Sequence, residues 1–173
     1  MDRIELIASL AKDANSLVDC GCDHGYTAIK ALKSYNVSHC YLLDINEGPL
    51  NNARNNVAKE NLSDRCDFIL SDGLKNFNEE TDVLVIAGMG GLLISNIILN
   101  DYEKVIKFKK IIIDAHSEIE KLRANLISKY FVFDNEILTR PITNDKETKE
   151  YMYKYYRIIE FMSEFIEKID NWY

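Results

Sequence analysis

Residues 16–35 read SLVDCGCDHGYTAIKALKSY, and this stretch sets the architecture of the whole chain. Ser16–Cys20 is a short apolar run that stops at Gly21, the pattern of a buried strand. Tyr26–Tyr35 follows with apolar residues at helical spacing, and Gly21 and Gly25 allow the sharp turn between them. The same strand–turn–helix rhythm continues on both sides. Upstream, residues 2–12 (DRIELIASLAK) have helical spacing. Downstream, Cys40–Ile45 (CYLLDI) is a second strand, and Pro49 stands where the helix PLNNARNNVAKENL can begin. Cys66–Leu70 (CDFIL) and Asp82–Ala87 (DVLVIA) are the third and fourth strands. A helix runs through LLISNIILNDYEKVI, Lys110–Asp114 (KIIID) is a fifth strand, and Glu118–Tyr130 is another helix.

The regime then changes. Phe131–Thr139 (FVFDNEILT) and Tyr151–Ile159 (YMYKYYRII) are two strand-like runs joined by the polar link PITNDKETKE, which predicts an antiparallel hairpin. SEFIEKIDNWY closes the chain as a short helix or tail. The pattern predicts an α/β fold: a mostly parallel sheet, helices on both faces, and one antiparallel strand added at the end. Near-continuous apolar strands such as DVLVIA support burial on both sides.

A length of 173 residues fits one domain, and 47% hydrophobic residues suffice for a core. No apolar run reaches membrane-span length and the N-terminus does not resemble a signal peptide, so the expected location is cytoplasmic. Cys20, Cys22 and His24 alternate, but structural zinc sites space paired cysteines more widely and need four ligands. No metal is expected; the cysteines read as small residues where a strand meets a tight turn. The formal charge of −7 weighs against a general nucleic-acid-binding surface without excluding RNA as a substrate.

In open α/β sheets ligands bind beyond the carboxyl ends of the strands. Asp19-Cys20-Gly21-Cys22-Asp23-His24-Gly25-Tyr26 follows the first strand. Its Asp-x-Gly-x-x-x-Gly spacing is neither the dinucleotide fingerprint nor a phosphate loop, so an NAD-dependent enzyme is disfavoured. Asp44 ends the second strand, 25 residues beyond Asp19, where a carboxylate can accept both ribose hydroxyls of an adenosine; it can equally cap the next helix. Asp72-Gly73 follows the third strand, where a carboxylate can accept from the exocyclic amine of adenine, although Ser-Asp-Gly is also ordinary turn chemistry. Ala87-Gly88-Met89-Gly90-Gly91 follows the fourth, and three glycines in four positions suggest a ligand or substrate base lying against the backbone.

DCGCDHGY, LLDINEGPL, SDGL and VIAGMGG together resemble the bacterial tRNA adenine-N1 methyltransferases of the TrmK type, which modify adenine 22 in the D-arm; the likeness runs from about residue 2 to residue 160. The resemblance implies a Rossmann-like class I methyltransferase with a seven-stranded sheet, a domain over residues 1–160 and a short helix or tail over 161–173. It implies S-adenosylmethionine as cofactor and tRNA as substrate, with neither DNA nor a membrane as partner. Asp19, Gly21, Cys22 and Gly25 would line the methionine end, Asp44 and Ile45 the ribose, and Asp72 and Gly73 the adenine. Ala87, Gly88, Met89 and Gly90 would also border the cofactor, and the Gly88–Gly91 loop, with Asp23, His24 and Tyr26, would face the target base. Adenine N1 has a free lone pair, so no general base is required. Two departures stand out: Asp114-Ala115-His116 replaces the Gln-Pro-Asn usual after the fifth strand, and residues 161–173 supply at most a fraction of the family's C-terminal helical extension. Two alternatives fit the acidity: a cofactor-binding protein without tRNA activity, or a methyltransferase acting on a small molecule or protein.

Overall fold

The structure, a computed structural model, describes residues 2–129, 131–133, 135–139 and 156–162. The predicted strands form β1 (Ser16–Cys20), β2 (His39–Asp44), β3 (Cys66–Leu70), β4 (Val83–Gly90) and β5 (Lys110–Ser117), with β6 (Asn135–Thr139) and β7 (Tyr156–Met162) after them. The helices are α1 (Arg3–Leu10), α2 (Tyr26–Ser34), α3 (Glu47–Lys59), α4 (Gly91–Asn100), α5 (Tyr102–Val105) and α6 (Ile119–Ile127).

Among the described residues the strands lie in the order β3-β2-β1-β4-β5-β7-β6. β1 to β5 pair in parallel, while β7 lies antiparallel between β5 and β6. The continuous apolar strands divide their side chains between two cores. Leu17, Leu42, Val83, Val85 and Ile112 join residues of α1, α2 and α3 on one face. Val18, Leu43, Leu84, Ile86, Ile111 and Ile113 join residues of α4 and α6 on the other. A strand buried on both faces has no polar position to show, which is why these runs read without alternation.

The sequence reading is corrected at several boundaries. β4 runs through Gly90 and β5 through Ser117, because Met89 and Gly90 still pair with Ala115 and Ser117. The glycine segment is therefore the irregular end of a strand rather than a loop after it. α3 starts at Glu47, so Pro49 lies inside its first turn, where backbone N–H groups have no helical partner to lose. The single helix expected over residues 92–106 is broken at Asp101, whose Oδ2 accepts from Leu74 N–H at 3.2 Å. Residues 131–133 carry no strand, and the strand expected from Tyr151 begins, as described, at Tyr156 and reaches Met162. The link at 141–150 and most of the C-terminal tail lie outside the described residues. No helix among the described residues is long and apolar enough to cross a membrane.

Candidate active site

Strand order reverses between β1 and β4, so the carboxyl ends of these two strands border the crevice where open α/β sheets take ligands. Their loops meet there. Gly21 has φ 80, a left-handed conformation that favours glycine, and the flexible tip of the Met89 side chain lies over it. Gly25 caps α2 at φ 72, and a Cβ there would press on Leu42 Cδ2 at 2.9 Å and Ala53 Cβ at 3.2 Å. Glycine at this point lets the start of α2 pack onto β2 and α3.

Asp19, at 4% exposure, is buried at the end of β1. Burial pushes its carboxyl up from 3.8 to about 7; Asp44 adds to the rise and Arg3 opposes it. Asp44 is also buried, with Oδ1 accepting from Asn46 N–H at 3.0 Å and Oδ2 from Asp23 N–H at 3.4 Å. It thus holds the β2–α3 turn, the capping role that competes with ribose binding, yet a carboxylate has about four acceptor sites and keeps capacity for a ligand hydroxyl. Asp72 is exposed and ion-paired with Lys75 at the surface. Gly73 follows it at φ 62, in the turn that leads away from β3. Asp23, His24 and Tyr26 are exposed on the β1–α2 loop, where the His24 and Tyr26 rings stack at 5.5 Å and 26°. Cys20 and Cys22 sit in different halves of the core, and burial raises both thiols, Cys20 to about 12. His24 is exposed, and among the described residues no group of three or more His, Cys, Asp or Glu is arranged to hold a metal ion.

The three glycines at the end of β4 have three different explanations. Gly88 has φ 80 and stands at a register shift in the β4–β5 ladder. Gly91 is required by packing, because a Cβ would meet the carbonyl oxygens of Glu118 and Ser117 at 2.7 and 2.8 Å. Gly90 has φ −74 and meets Ser117 Oγ at 3.0 Å, so neither conformation nor backbone packing demands it.

Sequence reasoning missed several residues at this edge. Arg3, at the first turn of α1, donates to Asp114 at 2.9 Å across 111 positions of sequence. Leu70 is exposed at the end of β3, near the exposed Ile45 that the sequence reading had named just beyond β2. Only the exposure of Leu70 distinguishes it, and the run CDFIL carries no sign of that. A cavity of about 720 Å³, lined by Ser16, Asp82, Lys104 and Lys109 among others, opens at the opposite, amino end of β1 and β4 and holds none of the predicted site residues.

Sheet order, the antiparallel β7 and a crevice lined by strand-end carboxylates and bare glycines define a Rossmann-like methyltransferase fold. The chain belongs to the methyltransferase-domain family, whose model matches residues 1–153. Over 137 residues it is 26% identical to the tRNA (adenine(22)-N(1))-methyltransferase of Bacillus subtilis strain 168, covering 79% of this chain and 58% of that protein. The structure of M. capricolum TrmK, in complex with the natural cofactor product S-adenosyl-homocysteine, matches with a TM-score of 0.77 at 29% identity, over 93% of this chain and 67% of that one. The B. subtilis M1A22 tRNA methyltransferase TrmK, at 23% identity, shares the fold with a TM-score of 0.78, over 92% of this chain and 64% of that one. The chain spans about three fifths of the length of the curated relatives it matches.

Proposed function

We propose that the protein binds S-adenosylmethionine and transfers its methyl group to N1 of an adenine in tRNA, the D-arm adenine 22 being the expected target. The observation that carries this reading is that the buried Asp19 and Asp44 and the exposed Gly88 all stand towards the carboxyl ends of their strands, beside the strand-order reversal. The fit to the cofactor is chemical. Asp19 is a buried carboxyl raised to about 7, which a cationic amino-acid end would stabilise in its charged form. Asp44 has acceptor capacity for ribose hydroxyls, and Ile45 and Leu70 offer apolar surface to an adenine ring. Gly21, Cys22, Gly25, Ala87, Met89 and Gly90 complete the proposed cofactor lining, with Asp72 and Gly73 at the adenine edge. The cofactor supplies a methyl group already activated on a sulfonium centre.

The protein's task is then alignment and exclusion of water. A neutral adenine N1 attacks with its own lone pair, so no side chain has to remove a proton. Tyr26 and His24, stacked on each other and exposed, would receive a displaced base on their ring faces, with Asp23 beside them in sequence. Within a folded tRNA the base has to leave its stack, and a base–aromatic contact offsets about 1–3 kcal/mol of that cost. The proposed partner is therefore tRNA rather than DNA or a membrane, and the proposed location is cytoplasmic. The catalytic domain is assigned to residues 1–160 and a tail to 161–173.

The test is mass spectrometry of nucleosides from unmodified tRNA incubated with the protein and S-adenosylmethionine. One 1-methyladenosine per tRNA is expected. Cofactor binding with no methylated nucleoside would leave a binder without this activity, and methylated protein or small molecule in a lysate assay would redirect the substrate class.

A further inference from the structure

The carboxyl end of β5 holds a side-chain cluster that no sequence spacing announces. Asp114 is fully buried, its Oδ2 accepts from Arg3 Nη1 at 2.9 Å, and its Oδ1 is buried with no hydrogen-bond partner among the described residues. The same Arg3 nitrogen reaches His116 Nε2 at 3.0 Å. A guanidinium Nη carries two protons and no lone pair. That nitrogen can only donate, so His116 Nε2, which also lies 3.4 Å from Asp114 Oδ2, is the acceptor in the second contact. The side chain of Asp114 is 0% exposed, while those of Arg3 and His116 are 34% and 37% exposed. The cluster is an anchored pair of polar tips rather than a buried network.

The irregular ladder aims these tips. Ala87 pairs with Asp114, Met89 with Ala115 and Gly90 with Ser117, so Gly88 and His116 are the residues passed over. Such irregularities at a sheet rim re-aim side chains. A Cβ on Gly88 would lie 3.6 Å from Arg3 Nη1 and 3.9 Å from His116 Cε1. The Arg3–His116 edge therefore flanks the one stretch of β4 where the backbone is exposed without a side chain.

We infer that Arg3 and His116 form the polar edge that positions the target nucleobase against Gly88, with Asp114 acting through Arg3 as the buried anchor. This rests on the methyltransferase reading above. The edge suits a neutral heteroaromatic base. Guanidinium and imidazole are planar and present donors to ring nitrogens, and Asp114 offsets the Arg3 charge so that the edge is not a bare cation.

The test compares the full chain with His116→Ala and His116→Gln, using S-adenosylmethionine and unmodified tRNA. In His116→Ala, kcat falls at least tenfold, KM for tRNA changes less than threefold, and S-adenosylhomocysteine affinity and melting temperature stay within error. His116→Gln, whose amide oxygen can accept from Arg3, returns kcat to within threefold of wild type. Unchanged kcat in His116→Ala overturns the inference alone, as does a parallel loss of kcat, cofactor affinity and melting temperature. A wild-type chain that methylates no tRNA overturns the functional reading and this inference with it.

Discussion

Burial of Asp19 couples the stability of the fold to pH and, through the proposed site, to the cofactor. Its pKa is about 7 in the folded protein against an ordinary 3.8. Between those values the folded chain holds a proton that the unfolded chain has lost. Stability from this group is therefore full below about pH 4 and declines as pH rises to about 7. The slope reaches ~1.4 kcal/mol per pH unit, on the order of 4 kcal/mol in all. Asp19→Asn removes the titration, so the ligand-free variant should melt higher than wild type at pH 8 and close to it at pH 4. Wild-type affinity for S-adenosylmethionine should rise between pH 6 and pH 8, because the charged carboxylate is the form that a cation favours. Thermal melts and calorimetry at those pH values check both; flat profiles would remove Asp19 from the site. Asp44 gives a second prediction at this scale. Asp44→Ala should weaken cofactor binding by about 1.5–3 kcal/mol, as for a lost hydrogen bond to a charged group. Unchanged binding would leave Asp44 only its hold on the Asn46 and Asp23 N–H groups.

At the level of elements, the β4–α4 junction separates the glycines that serve the fold from the one that does not. Gly91 lets the start of α4 pack against the carbonyls of Ser117 and Glu118. Gly91→Ala should cost about 1–3 kcal/mol of stability through overpacking, visible as a lower melting temperature whatever the ligand. Gly90 has an ordinary φ and faces a hydroxyl that can rotate away. Gly90→Ala should keep the fold and lower methyl transfer at least tenfold, about 1.4 kcal/mol of barrier, while cofactor affinity changes less than transfer does. Equal losses of melting temperature in the two variants would mean that Gly90 also serves packing.

Across the whole molecule, the proposed cofactor bridges two halves of one sheet, β3-β2-β1 and β4-β5, at their reversal. Ligand that binds only the folded chain at a concentration of 100 Kd adds about 2.7 kcal/mol of stability. For a chain of this size that corresponds to a rise of roughly 5–10 °C in melting temperature. Differential scanning fluorimetry with S-adenosylhomocysteine measures it. A shift below a degree at millimolar ligand would argue against a cofactor site at this crevice.

The sequence by itself determined the layering and the order of elements. Runs such as SLVDC and KIIID, interrupted by helical spacing, leave few folds other than a parallel sheet covered on both faces, and the strand-end positions of Asp19, Asp44 and Gly88 follow from those runs. The helix–strand alternation also placed β1 and β3 at their observed boundaries. The tertiary structure alone decided what those residues meet. Local pattern encodes burial and turn chemistry, whereas contacts such as Arg3 with Asp114 depend on how distant elements close against each other. The glycines of β4 show the same division. AGMGG reads as a loop because glycine is a weak strand former, and only pairing with β5 keeps Met89 and Gly90 in the sheet. Likewise Asp44 and Asp72 look alike as acids at strand ends, yet Asp44 is buried against two backbone N–H groups and Asp72 is exposed beside Lys75. That difference arises from the depth of β2 inside the sheet against β3 at its edge, a property of strand order that no local stretch contains.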